Sequence, residues 1–155
     1  MIEGTEGFRL LLYALLAGAV AGDIRSFRIP NIIPLLVLGA LALALVLSGA
    51  PPESWRDAAI SGLFGLGAGY LLYRLKMMGG GDGKLIAATA AWFGARSLLG
   101  LAFLISLAGI FVALVALVAR TTAGAPGGVK AALKTRVPYG VAIALGAMAA
   151  AELLA

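Results

Sequence analysis

The chain has 155 residues, of which 62% are hydrophobic and 12% charged, with a net charge of +5 and a mean hydropathy of +1.04. Soluble domains carry about one-quarter charged residues, so this composition excludes an ordinary soluble protein and predicts an all-α, polytopic membrane protein. With no cysteine and no histidine, disulfides, thiolate sites, zinc fingers and imidazole catalysis are excluded, and a serine nucleophile would lack a histidine base. The positive charge is not gathered into a basic patch with interleaved aromatics, so no nucleic-acid partner is expected.

At about 20 residues per span, the length accommodates about six transmembrane helices, and residues 1–155 are expected to form a single integral membrane domain. The first apolar run extends from about Phe8 to Ala21 and is expected to stop at Gly22-Asp23. Glu3 and Glu6 precede it where a signal peptide would carry a basic region, so it is read as a membrane helix. Pro30 suits the first turn of a second helix, reaching about Ser48, because its missing amide proton would be unpaired there anyway. The turn Gly49-Ala50-Pro51-Pro52 leads to a third helix over about Trp55 to Leu75, with Ser54 or Asp57 available as a cap. Gly62, Gly65 and Gly69 on that helix favour close packing in lipid.

A glycine loop, Gly79-Gly80-Gly81-Asp82-Gly83, follows. The apolar stretch from Gly83 to about Ala95 is too short for a simple span and is expected to start deep in the protein. After a brief connection at Gly94-Ala95-Arg96-Ser97, a fifth helix covers Leu98 to about Ala119. A basic, glycine-containing loop from Arg120 to Arg136 precedes a last helix beginning around Val137-Pro138-Tyr139-Gly140. Trp55, Trp92, Tyr70 and Tyr73 are expected to be interface anchors or lipid-facing bulk.

Under this reading Arg25, Arg28, Arg74, Lys76, Lys84, Arg120, Lys130, Lys134 and Arg136 share one side, and Arg9, Arg56 and Arg96 the other. The positive-inside rule makes the first side cytoplasmic and turns both termini outward. Glu3, Glu6, Glu53, Asp57 and Glu152 then lie outside. Asp23 and Asp82 are left as the acids of the cytoplasmic side.

An acid at the mouth of an apolar helix costs free energy unless it is solvated, paired or protonated, which makes Asp23 and Asp82 functional candidates. Two carboxylates sharing a site can hold one proton between them near neutral pH, because their like charges disfavour double ionisation. The ionised member then takes a proton from water while the protonated one donates to a substrate carbonyl. The glycines before Asp82 allow an extended peptide or another loop to approach. Taken singly, Asp23 reads equally well as a solvated residue or a cap, Asp82 as the cap of the fourth helix, Lys84 as a topology signal, and Asn31 and Tyr139 as packing or hydrogen-bonding residues.

Together, Asp23 with Ile29-Pro30-Asn31, then Gly79-Gly80-Gly81-Asp82-Gly83-Lys84-Leu85, then Val137-Pro138-Tyr139-Gly140 resemble the type IV prepilin peptidases, the GxGD class of membrane aspartyl proteases. The resemblance runs from Gly22 to the last helix. It implies a plasma-membrane endopeptidase of a prokaryote that removes the short basic leader from pilin-like precursors at the cytoplasmic face, without a cofactor or metal. Asp23 and Asp82 are its catalytic pair, and Gly79, Gly81, Lys84, Pro30, Asn31, Pro138, Tyr139 and Gly140 support the site. The implied partner is a precursor with a basic leader and a hydrophobic N-terminal helix that packs laterally in the lipid.

Long members of the family carry a cytosolic region with paired cysteines between the first two helices, linked to N-methylation of the product. Here only Asp23 to Pro30 separates those helices, so methyl transfer is not expected. The compact form is similar to the small peptidases of tight-adherence (Flp) pilus systems. From a different class, the two acids also suit a cation or proton site in a small transporter, which predicts acids nearer the midplane and alternating access. A non-catalytic assembly subunit, with a dispensable acid pair, ranks third.

Overall fold

The computed structural model describes residues 1–2, 5–26, 29–122 and 138–154. These are all helical, without strands: α1 is Arg9–Ser26, after a short 3-10 turn at Glu6–Phe8; α2 is Ile32–Leu47; α3 is Pro52–Arg74; α4 is Gly80–Phe93; α5 is Leu98–Thr122, after a 3-10 turn at Ala95–Ser97; and α6 is Tyr139–Leu153. Most of the basic loop expected from Arg120 to Arg136, including Lys130 and Lys134, lies outside the described residues, as does Arg28.

The short helix α4 is the axis of the bundle. It packs against α3, α2, α6 and α5, while α1 lies against α6 and α2. Leu85, Ala88, Thr89, Ala90, Ala91, Trp92 and Phe93 are consequently buried. Trp92 is therefore not the interface or lipid-facing residue expected. Its ring is fully enclosed, and its indole N–H donates to the Val37 carbonyl at 2.9 Å, because a buried indole donor needs a partner. Trp55, Tyr70 and Tyr73 do face outward.

The surface is apolar around the girth, with Leu10, Leu63, Phe64, Leu99, Phe103 and Phe111 exposed. A soluble bundle would bury such side chains; lipid accommodates them. Glu6–Ser26 and Ala95–Ala119 are long and apolar enough to cross a membrane, and Ile32–Leu47 and Tyr139–Leu153 are shorter apolar helices.

Small residues let α3 and α4 meet backbone to backbone. A methyl group on Gly69 would lie 2.6 Å from Gly83 Cα, one on Gly65 2.7 Å from Ala90 Cβ, and one on Gly62 3.3 Å from Ala91 Cβ. Gly83 adjoins Asp82, so this crossing also fixes the start of α4. At the end of α3 the Lys76 amide donates to the Tyr73 carbonyl and the Met77 amide to the Leu72 carbonyl, with Lys76 at φ 58°. This is a Schellman closure, and α2 ends in the same way with Gly49 at φ 61°.

The glycines expected as a loop form the first turn of α4, and at the opposite end of the bundle the N-terminus is tied down. The Met1 amino group donates to the Leu154 carbonyl at 3.2 Å, and the Ile2 amide to the Trp92 carbonyl at 3.0 Å. Arg9 reaches Glu152 at 3.5 Å. Asp57 does not cap α3, whose first turn instead begins with Pro52 behind an extended Pro51. The Asp57 carboxylate accepts from the Ala95 amide at 3.0 Å, joining the starts of α3 and α5. Ser54 makes no side-chain cap either.

Candidate active site

Asp23 lies within α1. The helix does not stop at Gly22-Asp23 as expected but continues to Ser26, whose hydroxyl donates to the Gly22 carbonyl at 2.9 Å. The residue is only 3% exposed. Such an acid is tolerated because another helix supplies its donors. Asp23 Oδ2 accepts from the Gly140 amide at 2.7 Å and the Val141 amide at 3.3 Å. These are first-turn amides of α6, which have no partner in their own helix. The residue preceding α6 is Pro138, which makes no side-chain cap. Asp23 thus caps α6 from α1, and the positively polarised helix start favours its negative charge.

Asp82 occupies the first turn of α4 and is 9% exposed. Its Oδ2 accepts from the Gly79 amide at 2.9 Å, which closes the turn on the extended backbone of Gly79. The packing of Gly83 against Gly69 holds it from behind.

Residues 29–31 lie against the neighbours of both acids. A methyl group on Gly81 would lie 2.7 Å from the Ile29 carbonyl oxygen, and one on Gly140 would lie 2.8 Å from both Ile29 Cδ1 and Asp23 Oδ2. The glycines beside Asp82 therefore admit a loop of the protein itself. Lys84 Nζ donates to Asn31 Oδ1 at 2.9 Å, tying α4 to the start of α2. Pro30, Asn31, Gly79, Gly80 and Lys84 form an exposed rim.

Seven of the ten residues named from the sequence, Asp23, Asp82, Gly79, Gly81, Lys84, Asn31 and Gly140, make these contacts, whereas Pro30 only accepts the Ile33 amide at the start of α2. Pro138 and Tyr139 are half-buried and set the start of α6, without a hydrogen bond to either acid. Sequence reading passed over Ile29 as a contact and Val141 as a donor. The proline-tyrosine-glycine helix start was the available signal for Val141, since the amides after it need acceptors.

Both acids use Oδ2 for these contacts. Among the described residues, Oδ1 of each accepts no hydrogen bond, and neither acid forms an ion pair. Among the described residues, each carboxyl therefore keeps one oxygen for a proton, a water or a substrate group. A helical bundle that gathers two buried acids from different helices at one end, each fixed through one oxygen and open at the other, is a scaffold for two-carboxylate chemistry.

Residues 10–114 match the type IV leader peptidase family, a span that contains both aspartates and most of the chain, and the chain belongs to that family. It is 32% identical over 106 residues to a prepilin leader peptidase/N-methyltransferase of Dickeya chrysanthemi, covering 65% of this chain and 38% of that protein. The chain thus aligns with about two-fifths of that relative's length. No solved structure matches. The family match ends within α5, so the Gly140 and Val141 donors on α6 lie beyond it.

Proposed function

We propose that the protein is a membrane-embedded aspartyl endopeptidase that removes the basic leader of type IV pilin-like precursors. The observation that carries this reading is the site itself: Asp23 and Asp82, 59 positions apart in the chain, stand at one end of the bundle, each held by amides of a glycine-containing motif. Amide donors favour the ionised form of a carboxyl. Asp23 has two and Asp82 one, so we assign Asp23 as base and Asp82 as acid. Asp23 takes a proton from a water whose oxygen attacks the scissile carbonyl, while Asp82 gives its proton to the carbonyl oxygen. In the second step the C–N bond breaks. Asp23 returns its proton to the leaving amine, and Asp82 recovers one from the collapsing diol.

In this reading the six helices are membrane-embedded in a prokaryotic plasma membrane, with the acid end cytoplasmic. Arg25, Arg74, Lys76 and Lys84 flank that end, and Arg9, Arg56 and Arg96 the opposite one. This distribution supports the orientation through the positive-inside rule, and in this reading both termini lie outside. The precursor's hydrophobic helix supplies binding by lateral packing while its leader enters the rim of Pro30, Asn31, Gly79, Gly80 and Lys84. The compact link between α1 and α2 supports the small tight-adherence type and gives no support to methyl transfer.

The test is cleavage of a pilin-like precursor by detergent-purified protein, compared with Asp23→Asn and Asp82→Asn. Asparagine keeps size and polarity but cannot exchange the proton. Both variants are expected to lose cleavage while remaining folded. Wild-type-like cleavage by either variant would refute the two-aspartate mechanism. A wild type that cuts no precursor would favour the transporter or scaffold readings.

A further inference from the structure

One apolar side chain stands between the helix start that bears Asp82 and the helix start that holds Asp23. Ile29 is 7% exposed. On one side its carbonyl oxygen and Cβ face Gly81, where a methyl group would meet them at 2.7 and 3.2 Å. On the other its Cδ1 faces Gly140, where a methyl group would meet it at 2.8 Å. Gly81 immediately precedes Asp82, and the Gly140 amide holds Asp23 Oδ2 at 2.7 Å. Both contact residues are glycines without a side chain to yield, so the dimension of Ile29 is transmitted directly to the backbones on either side. The segment is also pinned two residues later, where Asn31 accepts from Lys84 of α4.

We infer that Ile29 is a positioning residue, a wedge between the starts of α4 and α6 that sets the spacing of Asp23 and Asp82. A water shared by two carboxyls is sensitive to that spacing, since a misplacement of about 1 Å costs on the order of 100-fold in rate. Ile29→Val removes the Cδ1 that meets Gly140 and leaves the contacts with Gly81. Ile29→Ala removes the γ carbons as well, again keeping the Cβ and carbonyl that face Gly81, and Ile29→Leu retains volume and length.

The kinetic test rests on the peptidase reading. With a pilin-like precursor and full-length protein in detergent, Ile29→Ala is expected to lower kcat about tenfold or more, with KM nearly unchanged. Ile29→Val should fall between it and wild type, and Ile29→Leu should recover most of the rate. An Ile29→Ala enzyme as fast as wild type, or a loss carried by KM, would overturn the inference; the second result would mean that Ile29 touches substrate instead.

A second measurement needs no substrate. The chain has no cysteine, so nitroxide labels can be placed at Leu71→Cys on α3, which is locked to α4, and at Leu145→Cys on α6; both positions are exposed. Ile29→Ala is expected to shift or broaden the distance distribution between them, and Ile29→Leu to restore it. An unchanged distribution overturns the wedge. If the wild type cuts no precursor, the peptidase reading falls and the distance measurement alone decides the wedge.

Discussion

Replacing Gly140 by alanine would place a methyl group 2.8 Å from Asp23 Oδ2, 2.8 Å from Ile29 Cδ1 and 3.0 Å from Asp23 Cγ. Carbon contacts are comfortable at about 3.5 Å or beyond, so α6 or Asp23 must retreat by roughly 0.7 Å. The Gly140 amide now donates to Asp23 across 2.7 Å. A retreat of that size stretches the bond to roughly 3.4 Å, beyond the range of a charge-assisted hydrogen bond. Hydrogen bonds to charged groups contribute about 1.5–3 kcal/mol, and about 1.4 kcal/mol is tenfold in rate. The kcat of Gly140→Ala is therefore expected to fall by about 10- to 150-fold, with KM much less affected.

The assay is the initial rate of precursor cleavage per folded molecule, with folding checked by size exclusion and thermal unfolding. Gly146→Ala is the control, because its methyl group would meet Ile105 Cα at 2.5 Å, stressing the same helix without touching an acid. Wild-type turnover in Gly140→Ala would refute the reasoning. So would a Gly146→Ala enzyme that loses as much kcat per folded molecule.

Two stability predictions accompany it. Gly69→Ala drives a methyl group to 2.6 Å from Gly83 Cα, with only backbone to yield, and should cost about 1–3 kcal/mol or more; Gly67→Ala meets nothing within 4 Å and should be neutral or stabilising by up to about 1 kcal/mol. Equal thermal unfolding of the two would mean that α3 and α4 do not cross tightly. Lys76→Gly relieves a left-handed backbone at φ 58° and should stabilise by about 0.5–1 kcal/mol; a lowered unfolding temperature would contradict it.

The helices were legible because apolar runs and glycine- or proline-containing breaks alternate along the chain. The two aspartates were legible because acids are costly in so apolar a context. What escaped were partnerships across long sequence separations. Nothing near Asp23 indicates that α1 continues past it, because the amides that satisfy it belong to Gly140 and Val141, more than 100 positions later. Trp92 was assigned outward by its type, and only the position of the Val37 carbonyl explains its burial. Ile29 is one apolar residue among many, and its significance arises from the two glycines that flank it in space. Lys84 was read singly as a topology signal, and its bond to Asn31, 53 positions earlier, is another partnership that no local pattern announces.

The same hydrogen bonds that orient the acids also terminate helices, which separates two ways of deleting a carboxylate. Asp23 is the acceptor for the first-turn amides of α6 in the absence of a side-chain cap from Pro138, and Asp82 accepts the Gly79 amide ahead of α4. Asparagine keeps an acceptor oxygen in place and removes only the exchangeable proton. Alanine removes both, leaving buried amides unpaired, and loss of a capping acceptor costs about 0.5–2 kcal/mol. Asp23→Ala and Asp82→Ala should therefore be as inactive as the asparagine variants but less stable by about that amount, read by thermal unfolding in one detergent. If alanine and asparagine variants unfolded together, the amides would not depend on these carboxyls, and the argument that the site doubles as a helix cap would fail even with catalysis abolished in both.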